Sequence, residues 1–101
     1  MNKMIFFDVD NTLVCRRENK MCEGTLNAIE KLSRDNKIDL AIATGRSLAM
    51  VKQENFHQMF ETIISANGSL ITRRDEVIYK KPIDCGVGRQ LIRYFEETQT
   101  P

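Results

Sequence analysis

The order of apolar and polar segments predicts an α/β protein built on a parallel sheet. Short apolar runs at residues 3–7, 38–43 and 62–65 alternate with segments whose apolar residues recur at helical spacing. The order strand, helix, strand, helix, strand is typical of parallel pairing through right-handed crossovers. A polar loop follows each of the three runs, and the sequences of these loops are DVDNT, TGRS and ANGS. Because such loops meet at one edge of a parallel sheet, we expect a functional site there.

The first half of the chain predicts two strands around a helix. KMIFF (3–7) is apolar and uninterrupted, as expected of a short strand covered on both faces. Residues 24–35 carry leucine and isoleucine at intervals of three, which gives one apolar helical stripe. IDLAIA (38–43) has the composition of a second buried strand. These three segments supply the first strand–helix–strand unit.

A second helix is predicted to begin after Ser47. The Ser47 hydroxyl can cap a helix through LAMVKQENF, and we expect Leu48, Met50 and Val51 to form its apolar side. His57 follows this segment and is the only histidine of the chain. A structural role for it is favoured over a catalytic one.

The remaining segments predict a third strand, a hairpin and a terminal helix. TIIS (62–65) is the strand, and SLIT and VIYK flank RRDE as a hairpin with a charged turn at about residues 69–80. Asp84 can cap a helix whose apolar residues, among them Leu91 and Phe95, recur every four positions.

Composition excludes several classes of function. Lys and Arg total 15 against 14 for Asp and Glu, so no nucleic-acid or anionic-membrane partner is indicated. No apolar run approaches the roughly 20 residues that cross a bilayer. Asp8 comes too early for a signal peptide, and a cytoplasmic location is expected. The three cysteines include no C-x-x-C pair, which predicts reduced thiols and neither a zinc site nor a disulfide framework.

Asp8 and Asp10 end the first strand and could carry chemistry. They are two residues apart, so an extended backbone points both side chains the same way. Because neighbouring carboxylates cannot both ionise freely, one suits a nucleophile and the other a general acid/base. Mg²⁺ would relieve their repulsion, since it typically takes one or two carboxylates with waters and phosphate oxygens. The alternative is an Asx-type turn in which both acids are merely solvated.

The other two loops could bind phosphate. Thr44, Gly45 and Arg46 precede a predicted helix start, where a hydroxyl and closely approaching backbone amides form a good phosphate seat. Asn67 and Gly68 offer an amide side chain and a tight turn after the third strand. Together with the two aspartates, these groups suit phosphoryl transfer through an aspartyl-phosphate.

These loops resemble the motifs of the haloacid dehalogenase (HAD) superfamily. DVDNT resembles its first motif, D-x-D-x-T, and IATGRS resembles its second. SANGSLI followed by VIYKKPI is similar to the sugar-phosphatase-like branch often called Cof-type. The likeness covers essentially the whole chain in the right order. It implies a three-layer Rossmann-like parallel sheet and a Mg²⁺-dependent phosphomonoester hydrolase that acts on small phosphorylated metabolites such as sugar phosphates.

The resemblance also implies roles for individual residues. Asp8 would be the nucleophile and Asp10 the general acid/base. Both would be metal ligands, Asp10 through its backbone carbonyl. Thr12 would steady the loop, and Thr44 would hold the transferring phosphoryl group with Gly45 nearby.

Further residues are implied to lie beside the substrate. In this branch they match Arg46, Asn67 and Gly68. Arg46 could equally form a surface ion pair, Gly68 could only permit a positive φ, and Thr12 could only cap a turn. Asn11 stands where the family usually has glycine, a mild change because asparagine tolerates left-handed backbone.

The family's pattern also predicts how the chain divides. Residues 1–82 would form the N-terminal part of the core domain, with a flap at about 14–24 over the nucleophile, and residues 83–101 would begin the cap. The family's third-motif lysine and fourth-motif acidic pair come later than anything in these 101 residues. We therefore expect an incomplete fragment with little activity alone.

Two other interpretations stay open. The first is a non-catalytic protein that binds phosphate or metal, or self-associates through an apolar strand edge at residues 4–7. The second is a phospho-accepting receiver domain, which is less favoured. Receivers usually carry an extra acidic pair on the first strand and the phospho-acceptor after the third, where this chain has Ser65, Ala66 and Asn67.

Overall fold

A computed structural model describes residues 3–98 of the chain apart from Arg16 and Asn19. The elements follow one another in the predicted alternation. They are β1 (Lys3–Phe7), α1 (Glu23–Ser33), β2 (Ile38–Ala43), α2 (Leu48–Lys52), a 3₁₀ helix (Asn55–Met59), β3 (Thr62–Ser65), a 3₁₀ turn (Ala66–Gly68), β4 (Leu70–Arg73), β5 (Glu76–Lys80) and α3 (Cys85–Thr98). The predicted α/β class is confirmed.

The five strands form one sheet in the order β1-β2-β3-β4-β5. β1, β2 and β3 are parallel, whereas β4 and β5 add an antiparallel hairpin to the far side of β3. The three apolar runs coincide with the three parallel strands. Their carboxyl ends therefore lie at one edge of the sheet, as the sequence predicts.

The core lies where α1 and the segment after α2 pack on the parallel strands. Its fully buried side chains come from the first loop, from β2 and from α2, and include Val9, Leu13, Ile42 and Val51. α1 contributes Ile29 at the centre of its apolar stripe. The core thus surrounds the loop that carries the two aspartates and fixes its base.

Three expectations about burial and helix length are wrong. Phe6 is 54% exposed because β1 lies at the edge of the sheet and is not covered on both faces. The second helix ends at Lys52 because Glu54 adopts an extended conformation, and a 3₁₀ helix follows. Met50 is 49% exposed, since two residues place it about 200° around the helix from Leu48.

The hairpin and the last helix form as expected. Arg74 and Asp75 make the two-residue turn, with φ of 51° and 65°. Asp84 caps α3 by accepting hydrogen bonds from the amides of Gly86 and Val87 at 3.0 and 3.2 Å. The apolar side chains of β5 and α3 remain exposed. None of the described helices is long and apolar enough to cross a bilayer.

The predicted flap and the domain division stay predictions. Within residues 14–24 the described backbone forms an isolated antiparallel bridge between Cys15 and Lys20. Arg16 and Asn19 of that segment lie outside the described residues. The division near residue 82 falls between β5 and α3.

Candidate active site

Two of the three predicted loops, those after β2 and β3, are held together by backbone hydrogen bonds. The amide of Thr44 donates to the carbonyl of Ile64 at 2.9 Å, and the amide of Asn67 donates to the carbonyl of Thr44 at 3.0 Å. A third bond, 2.8 Å long, joins the amide of Ala66 to the carbonyl of Arg46. These bonds lock the loops after β2 and β3 into one unit beside the end of β1.

A cleft of about 330 Å³ opens at this edge of the sheet. Five of the eight predicted site residues line it, together with two residues from the strand ends, and the lining is Asp8, Ala43, Thr44, Gly45, Ile64, Asn67 and Gly68. Among the described residues, Asp10, Thr12 and Arg46 are not part of this lining. The cleft thus brings together the predicted nucleophile, Asp8, and the predicted phosphate-binding residues Thr44 and Gly45.

The Asp8 carboxylate is held in place by a hydrogen bond from the first turn of its loop. Asp8 is exposed, and its Oδ1 accepts a hydrogen bond from the amide of Val9 at 2.9 Å. Val9 is fully buried, and its carbonyl accepts from the amides of Thr12 and Leu13 at 3.3 and 2.9 Å. Asn11 adopts the left-handed region with φ of 65°, which agrees with its place at the family's glycine position. The loop is therefore tied to the core directly behind Asp8.

The Asp10 carboxylate is paired with a cation, Arg46. Nε and Nη2 of Arg46 donate to its two carboxylate oxygens at 3.1 and 2.6 Å. Nη1 of Arg46 lies 3.6 Å from Oε1 of Glu54. The hydrogen bonds to Asp10 raise the pKa of Arg46 above its ordinary value, against the opposing effect of burial. The ion-pair alternative for Arg46 is the contact observed, although its side chain is only 16% exposed.

Thr44 and Gly45 both line the cleft. Thr44 is 7% exposed, and its Oγ1 accepts from the amide of Arg46 at 3.1 Å, so the hydroxyl proton can still be donated to a ligand. A Cβ at Gly45 would lie 3.0 Å from Oδ1 of Asn67, so a side chain at this position would require the Asn67 amide to shift. Asn67 and Gly68 have φ of 55° and 94°, as expected of a tight turn.

Sequence reasoning missed three residues around the site. Ala43 and Ile64 line the cleft as neighbours at the strand ends, and their place next to the polar loops is a signal that could have identified them. Glu54 is the second acidic neighbour of Arg46. Nothing in its local sequence indicates this contact, because α2 lies between the two residues.

Mg²⁺ fits Asp8 better than it fits the arrangement of Asp10. The described residues contain no group of three or more His, Cys, Asp or Glu side chains that could hold a metal ion. Mg²⁺ usually keeps several waters and uses only one or two carboxylates with phosphate oxygens. Asp8 can serve in that way at the cleft, whereas the Asp10 carboxylate is paired with Arg46.

His57 lies away from this edge. Its Nδ1 is 2.7 Å from the carbonyl oxygen of Glu54, a contact that suits a structural role. With Glu61 and Arg74 it lines a separate cavity of about 340 Å³. That cavity brings together charges of both signs, with Arg74 donating to both oxygens of Glu61.

Comparison with known proteins gives consistent matches. The family of haloacid dehalogenase-like hydrolases matches residues 5–101. The Bacillus subtilis (strain 168) protein named "Putative phosphatase YkrA" is 32% identical over 100 residues, which are 99% of this chain and 38% of that protein. The chain therefore spans about 38% of the length of this relative.

Solved structures match over nearly the whole chain. BT1666 of Bacteroides thetaiotaomicron, described among phosphatases of the HAD superfamily, is 28% identical with a TM-score of 0.75, covering 98% of this chain and 37% of its own. BT4131, described as a HAD subclass IIB sugar phosphatase, is 25% identical with a TM-score of 0.76, covering 97% and 38%. The match to residues 5–101 confirms the predicted resemblance, and this chain belongs to the family of haloacid dehalogenase-like hydrolases.

Proposed function

We propose that this chain provides the nucleophile and the phosphate seat of a Mg²⁺-dependent phosphomonoester hydrolase. The observation that carries the proposal is the shared cleft of Asp8, Thr44 and Gly45 at the carboxyl edge of the sheet. An exposed carboxylate beside a hydroxyl and a backbone kept open by glycine is suited to accept a phosphoryl group. Membership in a hydrolase family supports the reaction class.

The proposed reaction has two steps. An Asp8 oxygen attacks phosphorus, the bond to the ester oxygen breaks, and the leaving alcohol takes a proton from Asp10. Water then attacks the aspartyl-phosphate and gives its proton to Asp10, which releases inorganic phosphate and restores the Asp8 carboxylate. Thr44 holds the transferring group by donating its hydroxyl proton to a phosphoryl oxygen. Gly45 leaves room for that group next to the backbone.

Mg²⁺ is part of this proposal through the family. Asp8 would hold it by its carboxylate and Asp10 by its backbone carbonyl. The ion would neutralise charge on the phosphoryl group while the nucleophile approaches. Residues of this chain would position the phosphoryl group and transfer the proton.

The proposed substrates are small phosphorylated metabolites such as sugar phosphates. The likeness to a structure described as a sugar phosphatase supports this class. A cleft of about 330 Å³ falls at the small end of the range of small-molecule sites, roughly 300–1,000 Å³.

The test measures two quantities, the occupancy of the phosphoryl site and the rate of turnover. Fluoroberyllate with Mg²⁺ mimics a phosphoryl group on a carboxylate, and its binding can be followed by ¹⁹F NMR even when turnover is slow. We expect Asp8→Asn to abolish both fluoroberyllate binding and hydrolysis of p-nitrophenyl phosphate. Asp75→Asn, in an exposed turn, is the matched control and should change neither. Binding or turnover that survives Asp8→Asn would remove Asp8 from the nucleophile role.

One observation favours a second candidate, self-association of this chain. Within the described residues β1 pairs with β2 alone, and its other edge carries the apolar Met4–Phe7 segment with Phe6 54% exposed. Such an edge is a template for pairing with another copy. We propose that β1 edges pair between chains.

Sedimentation over a wide concentration range tests the pairing. Association that Phe6→Lys abolishes and Ile78→Lys preserves would support it, since Ile78 is exposed to a similar degree, at 58%, on β5 at the opposite edge of the sheet. A wild-type chain that stays monomeric throughout the range would contradict it.

A further inference from the structure

A buried hydroxyl group on β4 has no hydrogen-bond partner in the chain. The buried polar residues of the described part of the chain are Thr44, Thr62, Ser65 and Thr72. The hydroxyl groups of the first three are hydrogen-bonded to other parts of the chain. Thr72 is 4% exposed, and no hydrogen bond within the described residues involves its hydroxyl group. Because buried polar groups are nearly always hydrogen-bonded, this exception calls for a ligand or another explanation.

The Thr72 hydroxyl borders an open cavity. Thr72 lines the cavity of about 340 Å³ together with Phe60 and with Ile63, its cross-strand partner on β3. Within the described residues, every side-chain nitrogen or oxygen that is completely shielded from solvent has a partner. The Thr72 oxygen is therefore not completely shielded, and a small molecule in the cavity can reach it. No described residue lines both this cavity and the cleft of Asp8, so the two sites are separate.

The other buried residues of this cavity are apolar, and one of them is aromatic. Phe60 and Ile63 are 4% and 5% exposed. The Phe60 ring makes edge-to-face contacts with Phe7 and Phe56, with ring centroids 5.9 and 6.1 Å apart. Aromatic rings in such arrangements attract one another beyond the apolar area that they bury. A planar ring in the cavity would extend this aromatic cluster.

Each acidic or basic side chain in the described lining already has a partner. Arg74 donates to both oxygens of Glu61, and Asp75 lies 3.3 Å from Nζ of Lys52. Nδ1 of His57 is 2.7 Å from a backbone carbonyl oxygen. An ion that entered the cavity would lose water without gaining an unpaired opposite charge, which is costly. A neutral ligand is therefore favoured over phosphate.

We propose that this cavity binds a small neutral aromatic alcohol, with the ring against Phe60 and Ile63 and the hydroxyl bonded to Thr72. The volume of about 340 Å³ lies at the small end of the range of small-molecule sites, roughly 300–1,000 Å³. A threonine hydroxyl can both donate to and accept from the hydroxyl of a ligand, which supplies the missing partner. The proposal does not depend on the proposed function, because the two sites share no residue.

Phenol is the probe, and toluene is the matching compound without a hydroxyl. In ¹H–¹⁵N spectra of the wild-type chain we expect phenol to move the amide signals of Ile63 and Thr72. The amide signal of Val9, beside Asp8, should stay in place. The proposal would be overturned by shifts confined to the exposed apolar residues of β5 and α3. It would also be overturned by the lack of any shift up to about 20 mM phenol, a concentration at which a ligand of this size should bind.

Thr72→Val tests the contribution of the hydroxyl. It keeps the shape of the side chain, and Tm should be unchanged or higher because no hydrogen bond within the chain is lost. Phenol should bind about 2- to 10-fold more weakly, the size of one net hydrogen bond, while toluene should bind as before. Thr72→Ser, which keeps the hydroxyl, should show the same ratio of phenol to toluene affinity as the wild type.

Thr62→Val is the matched control. The Thr62 hydroxyl is also buried, but it accepts a hydrogen bond from Nη1 of Arg73 at 3.0 Å, and Thr62 is not among the described residues that line the cavity. This variant should lower Tm and leave the ratio of phenol to toluene affinity unchanged. A ratio that Thr72→Val does not alter, or one that both valine variants lower equally, would overturn the proposal.

Discussion

The hairpin turn between β4 and β5 gives the sharpest stability prediction. Arg74 and Asp75 both have positive φ, the geometry of a two-residue turn that normally selects Asn-Gly or Asp-Gly. Asp75 thus stands, with φ of 65°, where glycine is favoured. Asp75 therefore carries a side chain at a position where the positive φ of the backbone favours glycine.

The expected gain from Asp75→Gly follows from two opposing effects. Relief of the left-handed conformation is worth roughly 1–2 kcal/mol, and the extra freedom of glycine in the unfolded chain costs about 0.5–1 kcal/mol. The ion pair with Lys52, at 3.3 Å, contributes little because the Asp75 side chain is 82% exposed. The net gain is about 0.5–1 kcal/mol, which raises Tm by about 2–8 °C in a domain of this size.

Thermal unfolding followed by circular dichroism is the assay. Asp75→Asn is the matched control, because it removes the same charge and keeps a side chain of the same size, whose tolerance of the left-handed region is like that of aspartate. Its Tm should stay near that of the wild type. Asp75→Val should lose about 1 kcal/mol or more, since β-branched residues avoid this region. Equal stability of the glycine and valine variants would refute the reasoning.

Three other predictions concern the core, a helix cap and the cleft. Ile42→Ala should lower the free energy of unfolding by about 2–5 kcal/mol, whereas Ile78→Ala on exposed β5 should change it by under about 0.5 kcal/mol, as measured by urea unfolding. Asp84→Ala removes two hydrogen bonds to the first turn of α3 and should cost that helix about 1 kcal/mol, seen as faster amide exchange confined to α3. Gly45→Ala brings a Cβ within 3.0 Å of Asn67, so it should weaken fluoroberyllate binding in ¹⁹F NMR while the fold is retained.

The local pattern of apolar and polar residues was sufficient to predict the parallel strands and the helix caps. The three parallel strands begin and end as their apolar runs do, because β-branched and aromatic residues favour a pleated strand, whether it lies inside the sheet, as β2 does, or at its edge, as β1 does. Ser47 and Asp84 cap helices because a short polar side chain before an apolar period satisfies the first free amides. Such effects act within a few residues, which is why they can be recognised along the chain.

The direction of the second aspartate could not be predicted in this way. Strand alternation places Asp8 and Asp10 on the same side, and both are exposed, with Val9 buried between them. The Asp10 carboxylate is bonded to Arg46, which lies 36 residues further along the chain. The early end of α2, which brings Glu54 up to Arg46, is likewise a consequence of the three-dimensional arrangement.

The sequence by itself thus determined the family, the parallel sheet and the edge at which its polar loops meet. Only the tertiary structure decided which of those polar groups face a common cleft and which of them pair with one another. The physical reason is that backbone pattern fixes where each side chain starts, whereas an ion pair is formed by whichever opposite charge the fold brings within reach.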